Sequence, residues 1–433
     1  YLRWSIPDIA WFDDSKSEFL ITEPQQLAGF ATLVNAGHNF SGKTVTLGRD
    51  IMISDTTGWQ SWASNPPVNR WVPIGTPTNS FAGTFDGNGN AVGGIYINDL
   101  HGFFQGLFGV TSGTSTIKNV GVIASYIKGI NNVGGLAGRS AGTVENSYSA
   151  AVVVGENNIG GLVGNGFTGS IIKSYSIGTV TGAFSVGGLV GIIANTISDN
   201  YSTAKVSGQS NVGGLVGNND GGMIFSSYSA GAVAGTSSVG GLVGANSSGT
   251  VNTSYYDRQT SNQSDNAGKG MGRTTEQMKQ VETYGNDWYF VDIWGINGNI
   301  NEGYPHLLWS SKQLCEEAGH TYQNNVCKNA EEIEKETCEA TEGMVWSDGQ
   351  CTAPSISLPK IAISQIRVRV MGNAIVLENM PQGAKAEVYN LRGEQVHSAT
   401  PHSLPPTPLK ITVQTKGMYI VKVGAESFRV AVR

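Results

Sequence analysis

Between residues 131 and 256 the apolar and polar positions recur as a block. The motif V/I-G-G-L-A/V-G occupies Val133–Gly138, Ile159–Gly164, Val186–Gly191, Val212–Gly217 and Val239–Gly244, at intervals of 26, 27, 26 and 27 residues. A looser copy, Gly106-Leu107-Phe108-Gly109, lies 29 residues before the matching part of the first. A fixed period of about 20–50 residues marks a solenoid, whose units are too short to bury their own apolar faces and must stack on one another. Gly, Ser, Thr and Val dominate where a helical repeat would need Ala, Leu, Glu and Lys, so each unit is predicted to be a β-coil of two or three short strands.

The phase of each coil follows from taking Tyr148, Tyr175, Tyr201, Tyr228 and Tyr255 as position zero. Position +5 is Val153, Val180, Val206 and Val233, position +3 is Ala or Gly, and position −1 is Ser or Asn. Strand side chains alternate between faces, so with the valines inward these small residues also point inward. Position +4, which includes Lys205, and the tyrosines then point outward. Position −4 (Val144, Ile171, Ile197, Ile224, Val251) has the opposite parity, which places a corner at −3 and −2. With coils about 4.8 Å apart the tyrosines form a ladder. A glycine bulge at +3 would reset the parity and bury them instead, and both orientations remain open. The leucine of each motif is read as an inward plug, and its glycine pair as a corner needing positive φ or close backbone approach.

Flanking segments are predicted to cap the array. Thr22-Glu-Pro-Gln25 starts a short amphipathic helix, with Thr22 as N-cap and Gln25 closing a capping box. Strands are expected at 44–47, 71–74, 81–85 and 95–97, with Thr56–Asn69, carrying Trp59 and Trp62, as a loop leaving the coil. Thr274-Thr-Glu-Gln277 starts a second helix, and the aromatic stretch Asn286–Leu308 is expected to seal the far end of the solenoid. Beyond a linker at Ser355–Pro359, seven short strands (363–370, 374–377, 386–389, 395–397, 410–413, 418–423 and 427–432) predict a β-sandwich. The organisation is thus 1–311 solenoid with caps, 312–354 cysteine cassettes, and 355–433 sandwich.

Charge changes this picture in two ways. Residues 312–351 carry three Lys against nine Asp/Glu, whereas 360–433 carry ten Lys/Arg against four Glu, which marks the boundaries. Charged residues are only 14% of the chain and its net charge is −6, which excludes a phosphate-neutralising nucleic-acid binder. No apolar run approaches a membrane span. Cys315, Cys327, Cys338 and Cys351 form two similar cassettes without the tight Cys-x2–4-Cys pair of zinc sites. Duplication of the cassette favours pairing 315 with 327 and 338 with 351, and disulfides imply an extracytoplasmic compartment.

Candidate catalytic groups are sparse. The acids of the array, Glu145, Glu156, Asp199 and Asp220, occupy different coil positions, so no carboxylate pair of the kind glycoside hydrolysis needs lines up. Asp86 lies in a Phe-Asp-Gly-Asn-Gly turn, where Asp is a turn former, and Asp257-Arg258 is read as a surface salt bridge. No His-Glu-x-x-His stretch occurs, and no cofactor or metal is expected.

The G-G-L-V-G and N/S-S-Y-S elements resemble the GLUG repeats of bacterial surface proteins. Flanking segments 19–27, 71–75, 81–89 and 303–307 are similar to that family's opening and closing segments. The resemblance implies a right-handed parallel β-helix, extracellular and adhesin-like. Val388–Gly393, Gly417–Val423 and Ser427–Arg433 are similar to the C-terminal sorting domain of type IX secretion substrates, which implies a Gram-negative cell surface. The expected function is adhesion through cell-surface glycans or proteins, with type IX machinery as a second partner. The tyrosine ladder, Trp59 and Trp62 are the candidate binding residues. The alternatives are a carbohydrate-active enzyme on a β-helix and a self-associating filament subunit.

Overall fold

A computed structural model describes residues 6–432 apart from 167, 265–268, 291, 324–325, 341–344, 348–349, 353–366, 379–384, 391, 393, 400–408 and 424–425. The chain forms two compact units, Tyr1–Glu334 and Lys335–Arg433. The first is a β-solenoid. Its turns are counted by a nine-stranded sheet running Glu18–Ile21, Thr44–Leu47, Thr84–Asp86, Thr116–Lys118, Thr143–Glu145, Ser170–Ile172, Thr196–Ser198, Met223–Phe225 and Thr250–Asn252. Neighbours in this sheet pair in parallel. A thirteen-stranded sheet carries the tyrosines, and two six-stranded sheets flank the glycine motif.

Inward positions follow the predicted parity. Val144, Ile171, Leu136, Leu162, Val153 and Val180 are fully buried in one continuous core inside the coils. Position −2 turns the corner in the left-handed region at Asn119, Asn146, Lys173, Asp199, Ser226 and Thr253. A second left-handed corner precedes each motif, at Asn132, Asn158, Ser185, Asn211 and Ser238. The glycine pairs themselves do not have positive φ. They serve close approach: a Cβ on Gly134 would lie 2.3 Å from the Ala137 carbonyl oxygen, and one on Gly135 2.0 Å from Ser149 Oγ.

Each coil also hands a hydrogen bond to the next inside the core. The Ser147 amide donates to Ser174 Oγ (3.2 Å), the Ser174 amide to Asn200 Oδ1 (2.9 Å), the Asn200 amide to Ser227 Oγ (3.1 Å) and the Ser227 amide to Ser254 Oγ (3.2 Å). The same side chains donate to the carbonyl two residues earlier, as Ser174 Oγ does to Ile172 (2.8 Å). The small polar residue at −1 is therefore a satisfied internal ladder, as buried polar groups must be.

The first helix spans Pro24–Asn35 and starts one residue later than expected. Glu23 is its N-cap and Gln26 closes the capping box, because Pro24 fits the first helical position. Phe30 packs on Phe40, Phe81 and Phe85 and plugs the open end of the coils. The expected strand at 71–74 is reduced to a single bridge from Ile74 to Phe108. Thr274 caps the short helix Thr275–Met278 with Gln277, as predicted.

The second unit contains a β-sandwich. One antiparallel sheet holds Arg367–Met371, Ala374–Glu378 and Leu409–Thr412; the other orders Gln395–Ala399, Ala386–Asn390, Gly417–Val423 and Glu426–Val432. Ile375, Leu377 and Ile411 meet Val388, Tyr419 and Val421 between the sheets. The linker at Ser355–Pro359 and the first part of the strand expected at 363–370 lie outside the described residues.

Both disulfides pair within their cassettes, Cys315 with Cys327 and Cys338 with Cys351. The unit boundary, however, falls between them. Cys315 and Cys327 are buried in the solenoid's second apolar cluster, so this cassette belongs to the first unit.

Candidate functional site

The tyrosines do project away from the coil interior, yet solvent does not reach them. Tyr175, Tyr201 and Tyr228 are fully buried, and Tyr148 and Tyr255 are 5% exposed. Parallel pairing keeps the ladder in register. Successive rings from Tyr148 to Tyr228 stack at 5.0, 4.7 and 5.2 Å with planes within 12°. Their cover is the described residues of 274–328 in the same chain, a strap that leaves the last coil and runs back along the ladder.

Four successive coil corners, from Lys173 to Thr253, supply the strap with polar anchors. Trp288 Nε1 donates to the Thr253 carbonyl (2.8 Å), Ser226 Oγ to the Asp287 carbonyl (3.3 Å), Trp294 Nε1 to Asp199 Oδ1 (3.4 Å) and Trp309 Nε1 to the Lys173 carbonyl (2.9 Å). Tyr228 Oη donates to the Pro305 carbonyl (2.5 Å) and accepts from Asn301 (2.7 Å). Gln313 reaches Tyr148 Oη at the other end. The stretch 286–308 therefore does not seal the solenoid's end. It lies along the side, packed on the row of outward aromatic rings. A reading of the ladder as a ligand-binding face is corrected for the same reason: the strap already occupies it.

Charged groups in this layer serve structure. Asp257 is not a surface ion pair. It is fully buried, caps Arg258–Ser261 by accepting the Gln259 and Thr260 amides, and accepts Tyr304 Oη at 2.7 Å. Burial, then this carboxylate, raises the Tyr304 phenol above its ordinary range. Burial also raises Asp199, against the opposing effect of Trp294 and Lys173.

His306 sits in the strap's Trp294–Gly295/His306–Leu307 pair with its Nδ1 unpartnered, and burial pushes its imidazole down to about 4. The unfolded chain then holds this proton more tightly than the folded one. Stability from this site is complete above the unfolded value of 6.5 and is lost as pH falls toward 4. The total is about 3 kcal/mol. Urea melts are expected to show this slope in the native chain and its loss in His306→Leu; an unchanged slope would remove His306 as the cause.

The Thr56–Asn69 loop folds back on the outside of the tyrosine-bearing sheet. Trp62 is 3% exposed and packs edge-on against Tyr96 (5.9 Å), which stacks on Tyr126. Trp59 is half-buried beside them. The two tryptophans thus anchor the loop rather than display a ring. Between loop and coil lies a cleft of about 880 Å³ lined by Met52, Ile53, Ser54, Asp55, Thr57, Trp62 and residues 65–69. Val68 is 74% exposed at its rim.

A second cleft, of about 540 Å³, opens on the strap between Val281 and Asp292. No sequence motif announced it, although 281–292 is aromatic and holds three acids and no base. Asp86 is a turn former as expected, accepting from the Asn88 amide and Asn119 and pairing with Lys118 at 3.3 Å. Among the described residues no group of three or more His, Cys, Asp or Glu is placed to hold a metal. No described helix is long and apolar enough to cross a membrane.

No protein-family profile matches the chain. Over 85 residues it is 35% identical to a "Putative Gly-rich membrane protein" of Evansella cellulosilytica, a stretch covering 19% of this chain and 10% of that protein. Over 110 residues it is 33% identical to halomucin of Haloquadratum walsbyi, covering 25% of this chain and 1% of that protein. The chain thus spans a tenth or less of the length of these relatives. A solved structure from Bacteroides ovatus, described as a "putative immunoglobulin A1 protease", superposes with a TM-score of 0.51 at 19% identity, covering 69% of this chain and 94% of that one. That likeness concerns the fold alone.

Proposed function

We propose that the chain is an extracellular, surface-displayed β-solenoid of the GLUG-repeat type that acts in adhesion, contacting glycans or surface proteins without catalysis of its own. The observation that carries this reading is the Met52–Asn69 cleft: with the tyrosine face occupied, it is an open recess beside a loop that leaves the regular coil, held on a rigid wall. Loops on rigid scaffolds are where recognition concentrates. Its single acid, Asp55, takes the Thr57 amide in a turn, so the recess lacks a carboxylate pair. The disulfides suit an oxidising compartment, and relatives named as a membrane protein and a halomucin suit a cell surface.

The C-terminal sandwich is read as a type IX sorting domain that places the solenoid on a Gram-negative outer surface. Screening the whole chain on glycan and surface-protein arrays is expected to find ligands lost in a Val68→Asp, Asn65→Ala variant. Release of reducing ends from a bound polysaccharide would overturn the non-catalytic part. Fusion of 335–433 to a periplasmic passenger tests the sorting part: the passenger should reach the surface of a type IX-competent cell.

A further inference from the structure

The cleft on the strap has a chemistry distinct from the first. Tyr289 forms its wall and, at 60%, is the most exposed aromatic among the described residues. Exposure here is not looseness. The Tyr289 carbonyl accepts the Asp292 (3.3 Å), Ile293 (2.9 Å) and Trp294 (3.0 Å) amides, so its backbone is pinned. Behind it Trp288 and Phe290 lie 6.1 Å apart with planes within 19°, and Trp288 packs on Tyr228 and Tyr255 of the ladder. A preorganised aromatic costs little to order on binding.

The rim is acidic. Glu282 and Asp292 line the cleft and both are exposed; among the described residues neither has an ion-pair partner, and no Lys or Arg lines the cleft. Negative charge without a base repels sialylated or sulfated sugars. An aromatic face beside carboxylates gains most from a cation, worth about 0.5–2 kcal/mol from the ring alone. The apolar face of a pyranose suits the rings, and a protonated amine suits the acids.

We propose that the 281–292 cleft binds a glycan through a free, protonated amino sugar. The assignment rests on the glycan-binding reading above and names the sugar class for a second site. The hexosamine ring packs on Tyr289 and Phe290 while its ammonium donates to Glu282 and Asp292. A cavity of this size falls within the ordinary range for small ligands.

The test is calorimetric titration of the full chain at about pH 6 with the glucosamine tetramer and its N-acetylated counterpart. The free-amine tetramer should bind at least about tenfold tighter, since acetylation removes the charge, and salt at about 0.5 M should weaken it. Tyr289→Ala and the double variant Glu282→Gln, Asp292→Asn should each lose about tenfold or more, with circular dichroism unchanged. Equal affinity for the two tetramers, no binding of either, or binding untouched by the variants would overturn the proposal. Tighter, variant-sensitive binding of oligolysine would also overturn it, in favour of a protein ligand. Val68→Asp is the control: it removes array ligands of the first cleft and leaves amino-sugar binding intact, so failure of either reading is seen separately.

Discussion

Changing Tyr175, Tyr201 and Tyr228 together to serine is expected to abolish the folded state of the first unit or release its strap. Each is a fully buried ring stacked between neighbours and covered by Trp294, Trp309, Trp288 or Tyr304. Truncating one buried aromatic costs about 3–5 kcal/mol. Three such losses approach the whole stability of a domain, about 5–15 kcal/mol. Hydrogen exchange separates the outcomes. Loss of protection confined to 274–328 would show a released strap over an intact solenoid, and loss throughout would show that the coils need their cover. A triple variant melting within a few degrees of the native chain would show that the ladder is not structural.

The second large effect concerns the glycine pairs. A Cβ on Gly188 would lie 2.0 Å from the Gly214 carbonyl oxygen and 2.2 Å from Ser202 Oγ. The same contact recurs at Gly161 against Gly188 and at Gly214 against Gly241, so the stack has no room to shift one coil alone. Overpacking a tight interior costs about 1–3 kcal/mol where neighbours can move, and these neighbours are backbone. Gly188→Ala is therefore expected to lose about 3 kcal/mol or more in urea denaturation. Gly298, with open space around its Cβ direction, is the matched control and should change little on going to Ala. Equal effects at the two positions would refute the close-approach account.

Three corrections share one cause. Sequence parity left two orientations for the tyrosines, and the structure places their side chains on the outer side of the coil. Parity could not say that another part of the chain occupies that side. The same blindness made 286–308 look like an end seal and Asp257-Arg258 look like a surface pair. In each case the deciding partner is remote: Trp294 meets Asp199 across 95 residues, and Tyr304 meets Asp257 across 47. Trp59 and Trp62 stand as candidate binding residues in the sequence for a related reason, since Tyr96 and Tyr126, against which they pack, carry no signal in the array's period.

The acidic cleft at 281–292 was legible only as composition. Three acids and several aromatics without a base were present in the sequence, but nothing there distinguishes Tyr289, which stays exposed, from Trp288, which is 3% exposed. That difference arises because Trp288 packs on the ladder while Tyr289 lies on the wall of the open cleft.

By itself the sequence determined the coil: its length, its inward valines and leucines, its small inward residues at −1 and the sandwich that follows. These depend on strand alternation and on stacking of identical neighbours, which repeat every 26–27 residues and so are written locally many times over. Only the tertiary structure decided which outward surface is free. The strap has no period, and its docking joins residues as far apart as Tyr148 and Gln313, 165 positions along the chain. Its energy comes from the fit between two different surfaces, which neither segment specifies alone.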